Sequence, residues 1–200
     1  MPRFISIDDA TPILSGASRV SVVGISGAGK STFSQELARQ LDLKYVSLDR
    51  DMLWLPGWTM RDRAEQRALH DAFVAENRWV IDGTTIGLMR TRLPRSDLLI
   101  WLRVPRHRAL WGVARRVAKG YGRVRPDMAD GCPEQIPDFE FLRWIWTFER
   151  KQSPRLLAAI EQYCNDLPVL VLRSHREIEA LLGKLRERGT YPAQKRKGAE

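Results

Sequence analysis

Eight consecutive residues carry most of the chemistry that can be read from this chain. Gly24-Ile25-Ser26-Gly27-Ala28-Gly29-Lys30-Ser31 satisfies G-x-x-x-x-G-K-[ST] at every fixed position. Glycines at 24, 27 and 29 allow the backbone to curl until successive N–H groups converge on one spot. The N-terminus of a following helix adds positive partial charge there. Such a cradle fits the phosphates of ATP, held by Gly24, Ser26, Gly27, Ala28, Gly29, Lys30, Ser31 and Thr32. Lys30 would reach the β- and γ-phosphates, and the Ser31 hydroxyl would bind Mg²⁺.

Three acids stand at the ends of apolar runs. Asp82 closes Trp79-Val80-Ile81 and would hold Mg²⁺ opposite Ser31, unless it only forms the turn before Gly83. Asp49 and Asp51 follow Lys44-Tyr45-Val46-Ser47-Leu48. In one reading Asp49 takes the proton of a phosphate acceptor, with Asp51 as auxiliary; in the other the two acids cap a helix. Trp54 and Trp58 would stack on a base or ring, or pack in the core.

Arginines gather further on. Arg115, Arg116, Arg123 and Arg125 suit the negative charge that phosphoryl transfer spreads over oxygen, although some would be a solvated basic face. Arg90 and Arg92 would bind an acceptor anion or lie at the surface. The pair Gly120-x-Gly122 flanks the arginines as a hinge would. Residues 112–137 are therefore expected to move and to close over ATP.

The elements that must position these groups are legible as alternating patterns. Arg19-Val20-Ser21-Val22-Val23, residues 44–48, residues 79–81, Leu98-Leu99-Ile100-Trp101-Leu102 and Val169-Leu170-Val171-Leu172 read as five short strands. They are continuously apolar and separated by helices, which predicts an α/β fold with a parallel sheet covered on both faces. Thr59 to Asp62 resembles a helix start, and Ala64, Ala68, Ala72, Leu69 and Phe73 give the helix an apolar stripe. Residues 106–119 and 138–151 read as helices, the second with Phe139, Leu142 and Trp146 on its apolar face. Residues 1–18 read as an extension packed on the sheet.

Composition bounds the rest. Two hundred residues, 44% of them hydrophobic, suit one domain, expected over 1–186 with a basic, disordered tail over 187–200. No apolar run approaches the ~18 residues of a membrane span. Two cysteines make no disulfide framework and the N-terminus lacks a signal-like segment, so a cytoplasmic setting is expected. His70, His107 and His175 show no ligand spacing and are placed at the surface. The net charge of +9 fits a phosphate site, with nucleic acid as the other possible partner. A monomer or a homodimer is expected.

The motifs also resemble a family. The phosphate loop, Leu48-Asp49 with Trp54-x-Pro56-Gly57-Trp58, the run Arg78 to Gly83, the run Arg123 to Glu134 and the run Phe139 to Trp146 are similar to bacterial DNA topology modulation proteins, relatives of adenylate kinase. The similarity covers roughly residues 20–182. It implies a three-layer α/β/α P-loop NTPase fold with a five-stranded sheet ordered 2-3-1-4-5 and a lid between strands 4 and 5. It also implies ATP at Gly29, Lys30, Ser31 and Thr32, Mg²⁺ at Asp82, and transfer to an unidentified small-molecule or nucleotide acceptor. Asp82-Gly83-Thr84-Thr85-Ile86 lacks the Pro-Arg that adenylate kinases carry after Asp-Gly, and it lacks the Asn-Tyr usual in the topology family. A second function implied is a nucleotide-regulated DNA-binding factor whose ATP site acts as a switch.

Overall fold

Short apolar segments alternating with amphipathic ones favour one arrangement, a parallel sheet between two layers of helices. The computed structural model describes residues 2–189. In chain order its elements are β1 (Arg3–Ile5), α1 (Ile7–Gly16), β2 (Arg19–Gly24), α2 (Lys30–Leu41), β3 (Lys44–Ser47), β4 (Trp54–Leu55), β5 (Thr59–Met60), α3 (Arg63–Ala75), β6 (Trp79–Asp82), α4 (Met89–Arg92), β7 (Leu98–Leu102), α5 (Arg106–Gly120), α6 (Phe139–Lys151), α7 (Ser153–Tyr163), β8 (Pro168–Leu172) and α8 (His175–Gly189). The expected tail lies outside the described residues from 190 onward; residues 187–189 belong to α8.

Six strands form the parallel sheet, ordered β1-β8-β7-β2-β6-β3. This corrects the expectation of five strands in the order 2-3-1-4-5. Arg3, Phe4 and Ile5 are not merely packed on the sheet. They pair with Pro168, Val169 and Leu170 and add an edge strand. Three residues are too few to show a period, and their partner lies at the far end of the chain. From the opposite edge, β3, β6, β2, β7 and β8 follow one another before β1.

Side-chain alternation divides each inner strand between two layers. Leu98, Ile100 and Leu102 of β7 face α1, α2, α5, α6 and α8. Leu99 and Trp101 face α4 and α7. All five are buried, each stabilising the fold by roughly 1.5–3 kcal/mol. A third cluster packs α3 on Val46, Trp79 and Ile81.

Two helical faces differ from expectation. In α3 the buried residues are Gln66, His70 and Val74, while Ala64, Ala68 and Ala72 face solvent. The alanines carry too little apolar area to compete for the core. Thr59 and Met60 form β5, which pairs with β4, and the helix begins after Asp62, whose side chain caps Ala64 and Glu65. In α6 the packed face is Phe141, Trp144, Ile145 and Phe148, and Phe139 and Trp146 are exposed. Trp146 instead lies under the Arg106 guanidinium, 3.8 Å from its ring centre. Among the described residues, no helix is long and apolar enough to cross a membrane.

Candidate active site

The central strands β2 and β6 end side by side, and their loops supply the first half of the site. At Gly24 (φ 147°) a Cβ would lie 2.4 Å from the Leu102 carbonyl oxygen on β7. At Gly27 (φ 83°) it would lie 2.1 Å from the Ala109 carbonyl oxygen on α5. Only glycine permits both the backbone angles and these approaches. The loop therefore sits against β7 on one side and α5 on the other. Its exit runs into α2, which begins at Lys30. Thr84 fastens the loop from the β6 side. Its hydroxyl accepts from Gly24 N and donates to Gly24 O, both at 2.8 Å.

Asp82, at the end of β6, is 3% exposed. The Tyr45 hydroxyl donates to it at 3.1 Å. Burial pushes its carboxyl up to about 6, against the pull of the Lys30 ammonium. Burial first, then the charge of Asp82, holds the Tyr45 phenol protonated and so a donor. Lys30 Nζ donates to the Ile25 carbonyl at 3.0 Å across the mouth of the loop. Burial lowers its pKa, and Asp82 and Asp49 oppose that.

Asp49 and Asp51, two residues apart, have different fates. The chain from Asp49 to Leu53 winds one wide turn closed by Trp54 N on Asp49 O. Asp49 opens on the cleft, where the surrounding protein pushes its carboxyl up while Lys30 and Arg125 pull it down. Asp51 turns away. It accepts from Ser47 N at 2.8 Å and pairs with Arg50 Nε at 2.7 Å. An auxiliary catalytic role for Asp51 is therefore replaced by a structural one, pinning the turn that presents Asp49.

The cleft over the loop measures about 560 Å³. Ser26, Gly27, Gly29, Lys30, Ser31 and Thr32 line it, as do Asp49, Asp82, Arg115, Arg116 and Arg125. Gly24 and Ala28 shape the loop from behind. Arg123 is exposed and off the cleft. Its backbone is used instead, the carbonyl accepting from Glu134 N at 2.9 Å. Arg92 is fully buried and donates to the Gly83 carbonyl at 3.0 Å, so it buttresses the turn after Asp82 and does not reach an acceptor. Arg90 is exposed and outside the cleft. His107 and His175 are exposed, whereas His70 is fully buried, against the surface placement expected of it.

Several residues of the site were given no role from the sequence, although Glu134 and Asp127 lie in the run Arg123 to Glu134 that carries the resemblance. Glu134 is 4% exposed and takes two arginines at once: Arg116 Nε on Oε1 at 2.9 Å and Arg125 Nε on Oε2 at 2.7 Å. Arg125 Nη1 also meets Asp127 at 2.9 Å. No sequence spacing links these residues, because a loop brings them together. Asp127, Lys119 and His175 line the cleft and Thr84 bonds the loop at Gly24; none of the four was expected at the site. Trp54 and Trp58 meet edge to face at 5.4 Å and pack on Met128, Ala129 and Cys132. Trp58 Nε1 donates to Pro133 O at 3.1 Å. Packing, one of their two expected roles, is the one they have. Among the described residues no three His, Cys, Asp or Glu side chains gather as a metal site. Mg²⁺ bound with nucleotide needs only one or two protein oxygens, so Ser31 and Asp82 suit it.

No protein-family profile and no curated protein matches the chain. Solved structures do. A shikimate kinase from Acinetobacter baumannii, in complex with shikimate, is similar with a TM-score of 0.53 at 14% identity, over 92% of this chain and 99% of its own. A shikimate kinase from Bacteroides thetaiotaomicron gives a TM-score of 0.51 at 18% identity, over 86% and 98%. A deoxyadenosine kinase from M. mycoides with bound dATP gives a TM-score of 0.51 at 13%, over 85% and 98%. At such identities the likeness speaks to the fold alone, which this chain shares with those kinases.

Proposed function

We propose that this protein transfers the γ-phosphoryl group of ATP, with Mg²⁺, to a hydroxyl of a small molecule. The observation that carries this reading is the meeting of Lys30, Ser31 and buried Asp82 at the mouth of the glycine loop, with Asp49 across the same cleft. The resemblance to the DNA topology modulation family rests on the motifs quoted above.

Backbone N–H groups of residues 24–32 and the N-terminus of α2 would hold the triphosphate. Mg²⁺ held by Ser31 and Asp82 would neutralise charge on the β- and γ-oxygens. Lys30 would leave its bond to Ile25 O for the phosphates. Asp49 would orient the acceptor hydroxyl and take its proton. Arg116 and Arg125, their Nε edges tied to Glu134, would turn remaining donors toward the transferring group. Gly112 packs on the loop so closely that a Cβ there would lie 2.2 Å from Gly27 O. On this reading, closure over ATP would be carried by the stretch from 121 to 138 more than by the end of α5.

Lys30→Ala tests the reading. It removes the cation between the phosphates and should reduce turnover to background, with an unchanged circular dichroism spectrum and melting temperature close to wild type. Full activity in a folded Lys30→Ala protein would sink it. Asp82→Asn, by calorimetry, should weaken Mg²⁺-ATP more than ATP with chelator; equal losses would leave Asp82 as a turn residue only.

A further inference from the structure

Resting on the kinase reading above, we infer that the acceptor is an alcohol without an anionic group, neutral or amine-bearing, and that alcohols carrying a phosphate or carboxylate are rejected. The two walls of the cleft differ in charge. The wall formed by α5 presents Arg115, Arg116 and Lys119, with Lys30 at its foot, and suits a polyphosphate. The wall formed by the end of β3 and residues 125–127 presents Asp49 and the ion pair of Asp127 with Arg125, so Asp49 is its one carboxylate without a salt bridge among the described residues.

An anionic acceptor on that second wall needs a cation free to meet it; the nearby arginines are held by protein carboxylates and carbonyls, and the donor that Arg125 keeps is the one assigned above to the transferring group. Arg125 gives Nε to Glu134 and Nη1 to Asp127. Taking it away would leave the buried Glu134 with Arg116 alone and break the pair with Asp127. Arg50 gives Nε and Nη2 to Asp51 and Nη1 to the Pro126 carbonyl. Arg61 gives Nε to the Met52 carbonyl and pairs with Glu65. Arg92 is sealed beneath Gly83. None of Arg50, Arg61, Arg90 and Arg92 lines the cleft.

Asp49, by contrast, makes no side-chain hydrogen bond or ion pair among the described residues. A phosphate or carboxylate brought beside it would meet a like charge that Lys30 and Arg125 offset without bonding to it, and like-charge contacts disfavour a partner. A hydroxyl can donate to the same carboxylate, and an amine can pair with Asp49. In the transfer itself, the acceptor oxygen forms its bond to the γ-phosphorus as the bond to the β-bridging oxygen breaks. ADP leaves, and the hydroxyl proton passes to Asp49.

The test uses the full chain with Mg²⁺-ATP and matched pairs of alcohols: deoxyadenosine and its 5′-monophosphate, glucose and glucose 6-phosphate, 2-amino-1,3-propanediol and glycerate. Phosphorylated product is read for each, beside ATP hydrolysis with no acceptor, for wild type and Lys30→Ala. In an active pair the member without the anion is expected to be favoured by ~100-fold or more in kcat/KM. A preference for the anionic member in any pair overturns the inference and leaves the kinase reading intact. Lys30-dependent hydrolysis of ATP with product from no pair also overturns it. Absence of any Lys30-dependent use of ATP overturns the kinase reading itself.

Discussion

His70 shows how a single buried side chain sets a condition on the whole fold. Its ring is fully buried, with Nδ1 3.2 Å from the Thr91 hydroxyl. Burial, and then the Arg92 charge, push its pKa down to about 4 from 6.5. The folded state therefore binds a proton less readily than the unfolded chain. Stability is fully present above the unfolded pKa near 6.5 and falls as pH drops toward about 4. The loss amounts to about 3 kcal/mol at the acid end. Urea unfolding at pH 7 and pH 4.5 should show it, and His70→Gln should flatten the difference between the two. Thr84 is a second case. Thr84→Val leaves both polar groups of Gly24 without the hydroxyl, and should cost about 1–3 kcal/mol and weaken ATP binding, read by the same unfolding and by calorimetry.

The insertion between β7 and β8 acts through its internal ion pairs as much as through its reach. Glu134 ties α5 to the returning chain by holding Arg116 and Arg125. It is a positioning residue on this view. Glu134→Gln should lower kcat at least ~10-fold with a smaller change in KM for ATP, because the arginines meet charge that develops in the transition state. Breaking this buried cluster should also destabilise the fold by roughly 3 kcal/mol. Arg123→Ala, at an exposed position off the cleft, should leave kcat unchanged, while Arg116→Ala should lower it at least ~10-fold. Steady-state kinetics of the three variants separate a catalytic lid from a merely basic one.

At the scale of the molecule, the hairpin of β4 and β5 and the loop 126–133 are fastened to each other. Gly57 N donates to Gly131 O at 3.0 Å, Trp58 N to Cys132 Sγ at 3.3 Å and the Cys132 thiol to Leu55 O at 3.2 Å. Ser47 Oγ reaches Asp127 O at 3.2 Å, which carries the link back to the end of β3. The hairpin beside Asp49 and the loop bearing Arg125 should therefore move as one body. Hydrogen exchange is the measurement. The amides of Gly57, Trp58, Gly122 and Glu134 should gain protection together on adding Mg²⁺-ATP. Protection gained by Gly122 and Glu134 alone would show two independent bodies.

The sequence by itself determined the parts whose physics is local. A glycine spacing suited to a tight loop, an aspartate closing an apolar run and strands buried on both sides are each written within a few residues, so the loop before α2, the place of Asp82 at a strand end and the parallel sheet were legible. Tertiary structure decided what depends on partners distant in the chain. It paired Arg3–Ile5 with β8, turned Asp51 inward and Asp49 outward, buried His70 where the alanines of α3 were expected, and packed Trp54 and Trp58 on the insertion. It also placed Glu134 between two arginines that no periodicity connects. A residue's type limits what bonds it can make; which bonds it does make depends on competition among all the groups that folding brings within reach, and that competition is settled only when the whole chain has closed.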